Sequence, residues 1–458
     1  MCVMIQRAAE SPSGRTAGRR IRLPRPSGEA WALFAVALAL RVAYVLAVHR
    51  GDARPTSDSI AYDELAWNLA RGMGFRLMGE SALYATAKAP LLPWLVSLVY
   101  RVTGHSFMAA LLFQAAIGAL VPPLVRALGR GMFGRPVGRV AGWLAALHPL
   151  LVFFSGYLLT ESLFCVVVLA ALLASTDWLK HPRPARAFGT GLLWGLAALT
   201  RPTALPLPFV VALWAWSPLG LSLRRVERGR QIALLLLGTA LAIAPWTARN
   251  TIVLHEFVLI TTGGGRTLLD ANNAVVWDDP ALRGNAISTA EREPWVTRFR
   301  NRSESDVDRL ASAEAIRFGL ARWHDWPKMA WAKFARFWRV RAITESTGLW
   351  FRTGSWPDRL LGLADPLLLW SLVVLPCALW GLIRTIQFSR RHFQLLPLAV
   401  IAVFTAGSLV FWGSLRLRTP AEPMVLLYAG VGWVDLAWRI RVRRDGLELV
   451  GREAQPEA

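Results

Sequence analysis

Residues 30–48, AWALFAVALALRVAYVLAV, form an apolar run of nearly twenty residues, and residues 52–93, DARPTSDSIAYDELAWNLARGMGFRLMGESALYATAKAPLLP, follow almost at once. A helix of that length crosses the hydrocarbon of a bilayer. The polar, Gly-punctuated stretch behind it needs water for its backbone groups, which places it at the membrane surface between two apolar spans. The pairing sets the fold class as all-α and polytopic, with a carboxylate-rich first loop.

Within that loop, Ser57 or Asp58 is placed to cap a helix running to about Arg71, with Gly72 and Gly74 as its stop. At roughly 100° per residue, Asp58, Tyr62, Leu65 and Leu69 share one face. Asp63 and Glu64 point elsewhere and are expected in solvent.

Composition agrees with the membrane class. The 458 residues are 54% hydrophobic and include 22 Trp, too apolar for a soluble chain. The net charge of +22 lies in Arg residues between apolar runs, not interleaved with exposed aromatics on one domain, so membrane lipids are the expected partner and nucleic acid is not. Cys2, Cys165 and Cys377 show no CxxC or Cys/His spacing, and the seven histidines show no metal-ligand spacing.

Ten apolar runs approach spanning length: 30–48, 106–127, 138–154, 157–178, 187–200, 203–217, 232–248, 362–384, 394–412 and 420–438. The run 90–102 is shorter and reads as interfacial or re-entrant. If it does not cross, all basic clusters fall on one side, the cytoplasmic one: the N-terminal tail, 126–139, 180–186, 224–230, 390–391 and 439–444. The organisation is then a basic cytoplasmic tail at 1–29 and a transmembrane catalytic module at 30–250 that includes an outer loop at 49–105. An extracytoplasmic helical segment at 251–360, C-terminal transmembrane helices at 361–438 and a cytoplasmic tail at 439–458 follow. In the outer segment Val307, Leu310, Ala313, Ile316, Leu320 and Trp323 are spaced as a helical stripe, and basic residues alternate with aromatics from Pro327 to Arg341, as on a helix lying over anionic headgroups.

HExxH, Walker A and GxSxG motifs are all missing from the sequence. Asp306 and Asp308 read as acids favouring a helix N-terminus. The chemistry is expected on the outer side. Asp58 is the candidate base, since a surface carboxylate can deprotonate a hydroxyl, and Lys88 is the candidate counter-charge for a phosphate leaving group. Tyr62 and Tyr84 are candidate cavity residues in the same loop. Glu161 sits at the bilayer edge, where a carboxylate is costly unless partnered, and is the second catalytic candidate. Arg201, Arg249, Arg416 and Arg418 each flank an apolar run on the outer side and suit a lipid-linked phosphate, which guanidinium binds bidentately. Arg41, inside the first span, requires a buried partner or a polar cavity. No motif demands a cofactor, and a divalent ion held by Asp58 and Glu161 is left open.

The order of these pieces resembles the GT-C membrane glycosyltransferases, in the family 39-like group of protein mannosyltransferases and aminoarabinose lipid A transferases. The blocks that carry the resemblance are SDSIAYDELAWNLARGMGF (57–75), AKAPLLPWLVSLVYRVTG (87–104), SGYLLTESLF (155–164), GLAALTRPTALPLP (195–208), PWTARNTIVLHEFVLITTGGG (245–265) and SLRLRTPAEPMVLLYAG (414–430). The resemblance implies the GT-C fold and a transferase of the inner, cytoplasmic membrane that passes a sugar from a polyprenyl-phosphate donor to a glycan, lipid or protein acceptor at the outer face. It assigns Asp58 to the first-loop catalytic acid, Lys88 to the basic residue before the Pro-rich helix and Glu161 to the second acidic position. In many relatives Glu follows the first acid directly, whereas here Ser59 does. The alternative from another class is a lipid-linked sugar flippase, which needs charged groups near the bilayer midplane and on both sides.

Overall fold

The computed structural model describes residues 27–49, 53–56, 58–77, 86–218, 220–339, 366–388 and 392–453, and among them every regular element is helical. The helices in order are α1 (Gly28–His49), α2 (Asp58–Ala70), α3 (Leu91–Thr103), α4 (Phe107–Gly118), α5 (Val121–Phe133), α6 (Arg135–Leu147), α7 (Glu161–Lys180), α8 (Pro184–Thr200), α9 (Pro206–Trp216) and α10 (Arg225–Leu254). Then come α11 (Gly264–Ala271), α12 (Glu304–Ala321), α13 (Trp326–Trp338), α14 (Pro366–Phe388), α15 (Leu396–Val410), the single turn α16 (Leu415–Arg418) and α17 (Glu422–Glu453).

Among the described residues six helices are long and apolar enough to cross a membrane: α1, the joined α4 and α5, α7, α10, Trp370–Phe388 and Phe393–Val410. The run expected at 138–154 is a broken span instead: α6 and the turns after it meet at a bend of 50°, where Pro149 lacks the N–H a continuous helix would use. α3, at 13 residues, is a short apolar helix as its length required. α8 and α9 are also shorter than a full span, and α8 packs between α7 and α10. The chain is a multi-pass membrane protein.

The first span sets the polarity of the molecule. Its buried row, Leu33, Ala37, Arg41 and Val45, repeats every four residues, the spacing of one helix face. At its start Glu29 is paired with Arg126 at 2.9 Å and Arg139 at 2.7 Å, which puts the α5 and α6 basic cluster at that end. At its other end the His49 ring meets the Gly156 carbonyl at 2.8 Å, beside the polar loop. Arg41 has no carboxylate partner: Nη1 donates to Ala37 O of its own helix at 3.1 Å, and Nε and Nη2 find no hydrogen-bond partner among the described residues.

Three local expectations are corrected. Asp63 is buried, because α3 and the turn after it cover that side of α2: Tyr100 donates to Asp63 Oδ1, and the His105 ring, stacked on Trp67, meets Oδ2 at 2.9 Å. The buried face of α12 is Val307, Ala311, Ala315 and Gly319, whereas Ile316, Leu320 and Trp323 are exposed; α11 packs closely on this helix, where a Cβ on Gly265 would lie 1.9 Å from Asp308 O, and Gly319 lies against the Trp326 ring. α13 is not a helix laid on headgroups by all its cations. Lys333 is fully buried, donating to Asn272 Oδ1 at 2.8 Å and Val410 O at 3.1 Å, Arg336 caps carbonyls of Ala281 and Arg283, and Arg339 is buried. Arg341 lies outside the described residues.

α13 is clasped by two backbone strands of contact that leave no room for side chains. Gly284 has φ of +80° and a Cβ there would lie 2.7 Å from Ala332 C, while a Cβ on Gly413 would lie 2.0 Å from Lys333 O. Gly413 N donates to Gly284 O at 2.9 Å and closes the clasp. Gly284→Ala is expected to cost about 1–3 kcal/mol through this overpacking and the positive φ, read as a lowered melting temperature of the detergent-solubilised chain; an unchanged melting temperature would contradict the clasp.

Candidate active site

Asp58 opens α2 and reaches two cations. Its Oδ1 accepts from Lys88 Nζ at 2.8 Å, and its Oδ2 accepts from Arg416 Nη1. The Nε of the same Arg416 donates to Glu161 Oε1, which also accepts from Arg201 Nη1 at 3.1 Å. Lys88, Asp58, Arg416, Glu161 and Arg201 therefore form one continuous series of charges drawn from five separate parts of the chain. Three cations stand against two carboxylates. Tyr62, one turn after Asp58, puts its ring beneath the Lys88 ammonium at 5.4 Å.

Local structure explains each placement. Glu161 is the first residue of α7, where an acid favours the helix N-terminus. Arg201 is the extended residue that ends α8, and α8 packs along α7, so the end of one helix meets the start of the other. Arg416 sits in the turn α16, capped by Ser414, whose hydroxyl accepts from Leu417 N at 3.2 Å. Two residues further on, Arg418 points to another side of that turn. It pairs with Glu422 and donates to Trp338 O at 3.1 Å, and so is outside the series. Arg249 is outside it too, donating to Phe75 O at 3.0 Å and Asn250 Oδ1 at 3.1 Å over the Trp246 ring. Tyr84 falls outside the described residues.

The electrostatics favour charge on Asp58, Lys88 and Arg416. Burial pushes the Asp58 carboxyl up, but the charges of Arg416 and Lys88 outweigh it and hold Asp58 well below the usual carboxylate range. Burial pushes Lys88 down, and Tyr62 and Asp58 reverse this, leaving it above its ordinary value. Arg416 is likewise depressed by burial and raised on balance by Glu161 and Asp58. A divalent ion does not fit this arrangement: the Arg416 guanidinium takes the position between the two carboxylates, and no group of three His, Cys, Asp or Glu side chains that could hold a metal occurs among the described residues.

A second cluster, not expected from the sequence, fixes Lys88 from behind. Glu304, at the start of α12, accepts from Thr86 N at 3.1 Å, from the Thr86 hydroxyl and from the Thr262 hydroxyl at 3.0 Å. α12 is thereby tied to the backbone two residues before Lys88. Burial raises the Glu304 carboxyl, with these hydrogen bonds pulling the other way. No sequence signal pointed to this contact, because Thr86 and Thr262 lie 218 and 42 residues from Glu304.

Residues 87–249 match the family described as dolichyl-phosphate-mannose-protein mannosyltransferase, a stretch that holds Lys88, Glu161 and Arg201. Among solved structures, the archaeal oligosaccharyltransferase AglB from Archaeoglobus fulgidus, in complex with an inhibitory peptide and a dolichol-phosphate, is 14% identical with a TM-score of 0.55; the match covers 93% of this chain and 52% of that one. The chain shares the fold of AglB, the GT-C fold. The same oligosaccharyltransferase tethered to an acceptor peptide matches at 13% identity and a TM-score of 0.53, covering 91% of this chain and 50% of that one. ArnT from Cupriavidus metallidurans bound to undecaprenyl phosphate is 16% identical, with 89% and 77% covered and a TM-score of 0.44, too loose a likeness to build on. This GT-C chain spans about half the length of the AglB structures. No curated protein sequence matches it.

Glu161 is completely buried and serves two guanidinium groups. Glu161→Gln is expected to lower stability by about 3 kcal/mol, since removing one partner of a buried charge pair leaves the others uncompensated. Denaturant unfolding in detergent measures it, and a loss below about 1 kcal/mol would show that Glu161 does not hold Arg201 and Arg416.

Proposed function

We propose that this chain transfers a sugar from a polyprenyl-phosphate-linked donor to an acceptor hydroxyl at the outer face of the cytoplasmic membrane, with Asp58 as general base. In this reading the acceptor oxygen attacks the anomeric carbon as its proton passes to Asp58. The bond from that carbon to the phosphate oxygen breaks, and the lipid phosphate leaves with the electron pair. Lys88 and Arg416, with Arg201 beside them, take the phosphate charge, and Glu161 holds the two guanidinium groups in place.

The observation that carries the reading is the sharing of Lys88 and Arg416 by Asp58. While it holds both cations, Asp58 is a weak base. A phosphate arriving at the same cations draws them away, and Asp58 becomes more basic at the moment a donor is present, nearer the range a general base needs. The match over residues 87–249 to a family named for dolichyl-phosphate-mannose, and the dolichol-phosphate in the AglB structure of the same fold, support a lipid-phosphate donor. The basic cluster at the Glu29 end of α1, away from the loop that holds Asp58, supports an extracytoplasmic site. In this organisation residues 30–250 supply the catalytic module and residues 251–360 an outer segment braced on it.

Asp58→Asn keeps the size of the side chain and removes the base. Sugar transfer, read as the glycan difference between membranes of cells expressing the wild-type chain and the variant, is expected to fall roughly a hundredfold or more. Full transfer by the variant would contradict the assignment.

A further inference from the structure

The outer segment holds a cavity of about 120 Å³ that no step of the proposed transfer uses. By the same measure this is roughly ten times the room one water needs. Its walls are Trp277, Asp278, Arg283, Arg322, Asp325 and Lys328. Trp277 is buried, and its indole N–H has no hydrogen-bond acceptor among the described residues. A buried donor left without a partner is costly and calls for an explanation. The ring cannot turn to find one, as Phe318 and Trp326 pack edge to face on it with centroids at 5.2 and 5.7 Å.

The charges around that donor are arranged as a frame with two cations left over. Arg322 is tied to Asp278 and, at 2.7 Å, to Asp325. Arg283 Nε reaches only the Trp277 carbonyl, at 3.4 Å. Lys328 is exposed and has no partner among the described residues. A ligand that fits must bring an acceptor for the indole, many hydroxyl-type partners for the carboxylates and guanidinium groups, and a negative charge for Lys328 and Arg283. We infer that this cavity binds a saccharide unit bearing an acidic group, as a subsite for the acceptor glycan.

The position sets what kind of acceptor it serves. α13 begins beside the cavity at Trp326 and ends at Trp338, whose carbonyl accepts from Arg418, two residues past Arg416. Thirteen helical residues span roughly 20 Å. A glycan held at Trp277 with its reacting hydroxyl at Asp58 is therefore longer than a single sugar. The role as an acceptor subsite rests on the transfer reading, whereas the binding of an acidic sugar does not.

The test uses the full detergent-solubilised chain with three probes, D-glucuronate, D-glucose and inorganic phosphate, followed by saturation-transfer NMR and calorimetry. Glucuronate is expected to bind more tightly than glucose and phosphate. Trp277→Phe, which keeps an aromatic side chain but removes the N–H together with the pyrrole ring, and Lys328→Gln, a change at an exposed side chain, are each expected to weaken glucuronate roughly threefold to tenfold. The proposal is overturned if glucuronate does not bind the wild-type chain, if phosphate binds as well as glucuronate, or if Lys328→Gln binds it unchanged. Glucuronate binding without any transfer activity would sink the transfer reading and leave the cavity's ligand standing; intact transfer without glucuronate binding would do the reverse.

Discussion

A single guanidinium, that of Arg416, lies between Asp58 and Glu161 and makes one site of two acids that belong to different parts of the fold. Without it the loop helix α2 and the mouth of α7 would each present a carboxylate to its own surroundings. With it, two acids are held near three cations in a partly buried setting, where electrostatic interactions are stronger than in bulk water. Such a cluster is stable in the absence of ligand and yet has a net positive charge to offer an oxyanion. In the proposed transfer the same feature bears on the chemistry, since Asp58 acting as a base would be held inactive between two cations until a phosphate claims them.

The rest of the molecule keeps that guanidinium in place. α16 is a single turn, too short to hold a side chain by itself, and it is positioned by what lies on either side. Before it, Gly413 is bonded to Gly284 and pressed on α13; after it, Arg418 is anchored to Glu422 and Trp338. Glu422 in turn meets the His148 ring at 3.2 Å, at the bend that breaks the third apolar run. Lys88 is fixed in a comparable way by Glu304 acting on Thr86. The outer segment is thus connected to both cations of Asp58, which gives its packing a direct bearing on the site.

Much of this was legible in the sequence, for physical reasons that differ from residue to residue. Apolar run length gave six of the ten expected spans among the described residues, because hydrocarbon thickness fixes helix length, and Gly72 and Gly74 marked the end of α2 by their positive φ. Glu161, Arg201 and Arg416 stood out as charges at the edges of apolar runs, where a charge needs a partner, and Asp58 and Lys88 as the acid and the cation of the first loop. Their pairing was not legible, because partners from 30 to 358 residues apart leave no spacing signal. Arg249 and Arg418 look the same as Arg416 in sequence and differ only in what packs beside them. The buried Asp63 and the inward small face of α12 were misread for one reason: helical periodicity tells which residues share a face, and only tertiary contact tells which face is covered. The unpartnered Trp277 indole had no sequence signal.

The central claim is that Asp58 and a lipid phosphate compete for Lys88 and Arg416. The affinity of the purified Asp58→Asn chain for a polyprenyl phosphate, compared with that of the wild-type chain, tests it most directly. Removing the competing carboxylate frees both cations, so the variant should bind the lipid phosphate roughly twofold to fivefold more tightly even though it cannot transfer sugar. Equal or weaker binding by the variant would show that Asp58 does not hold the cations against the phosphate, and the account of its activation would fail.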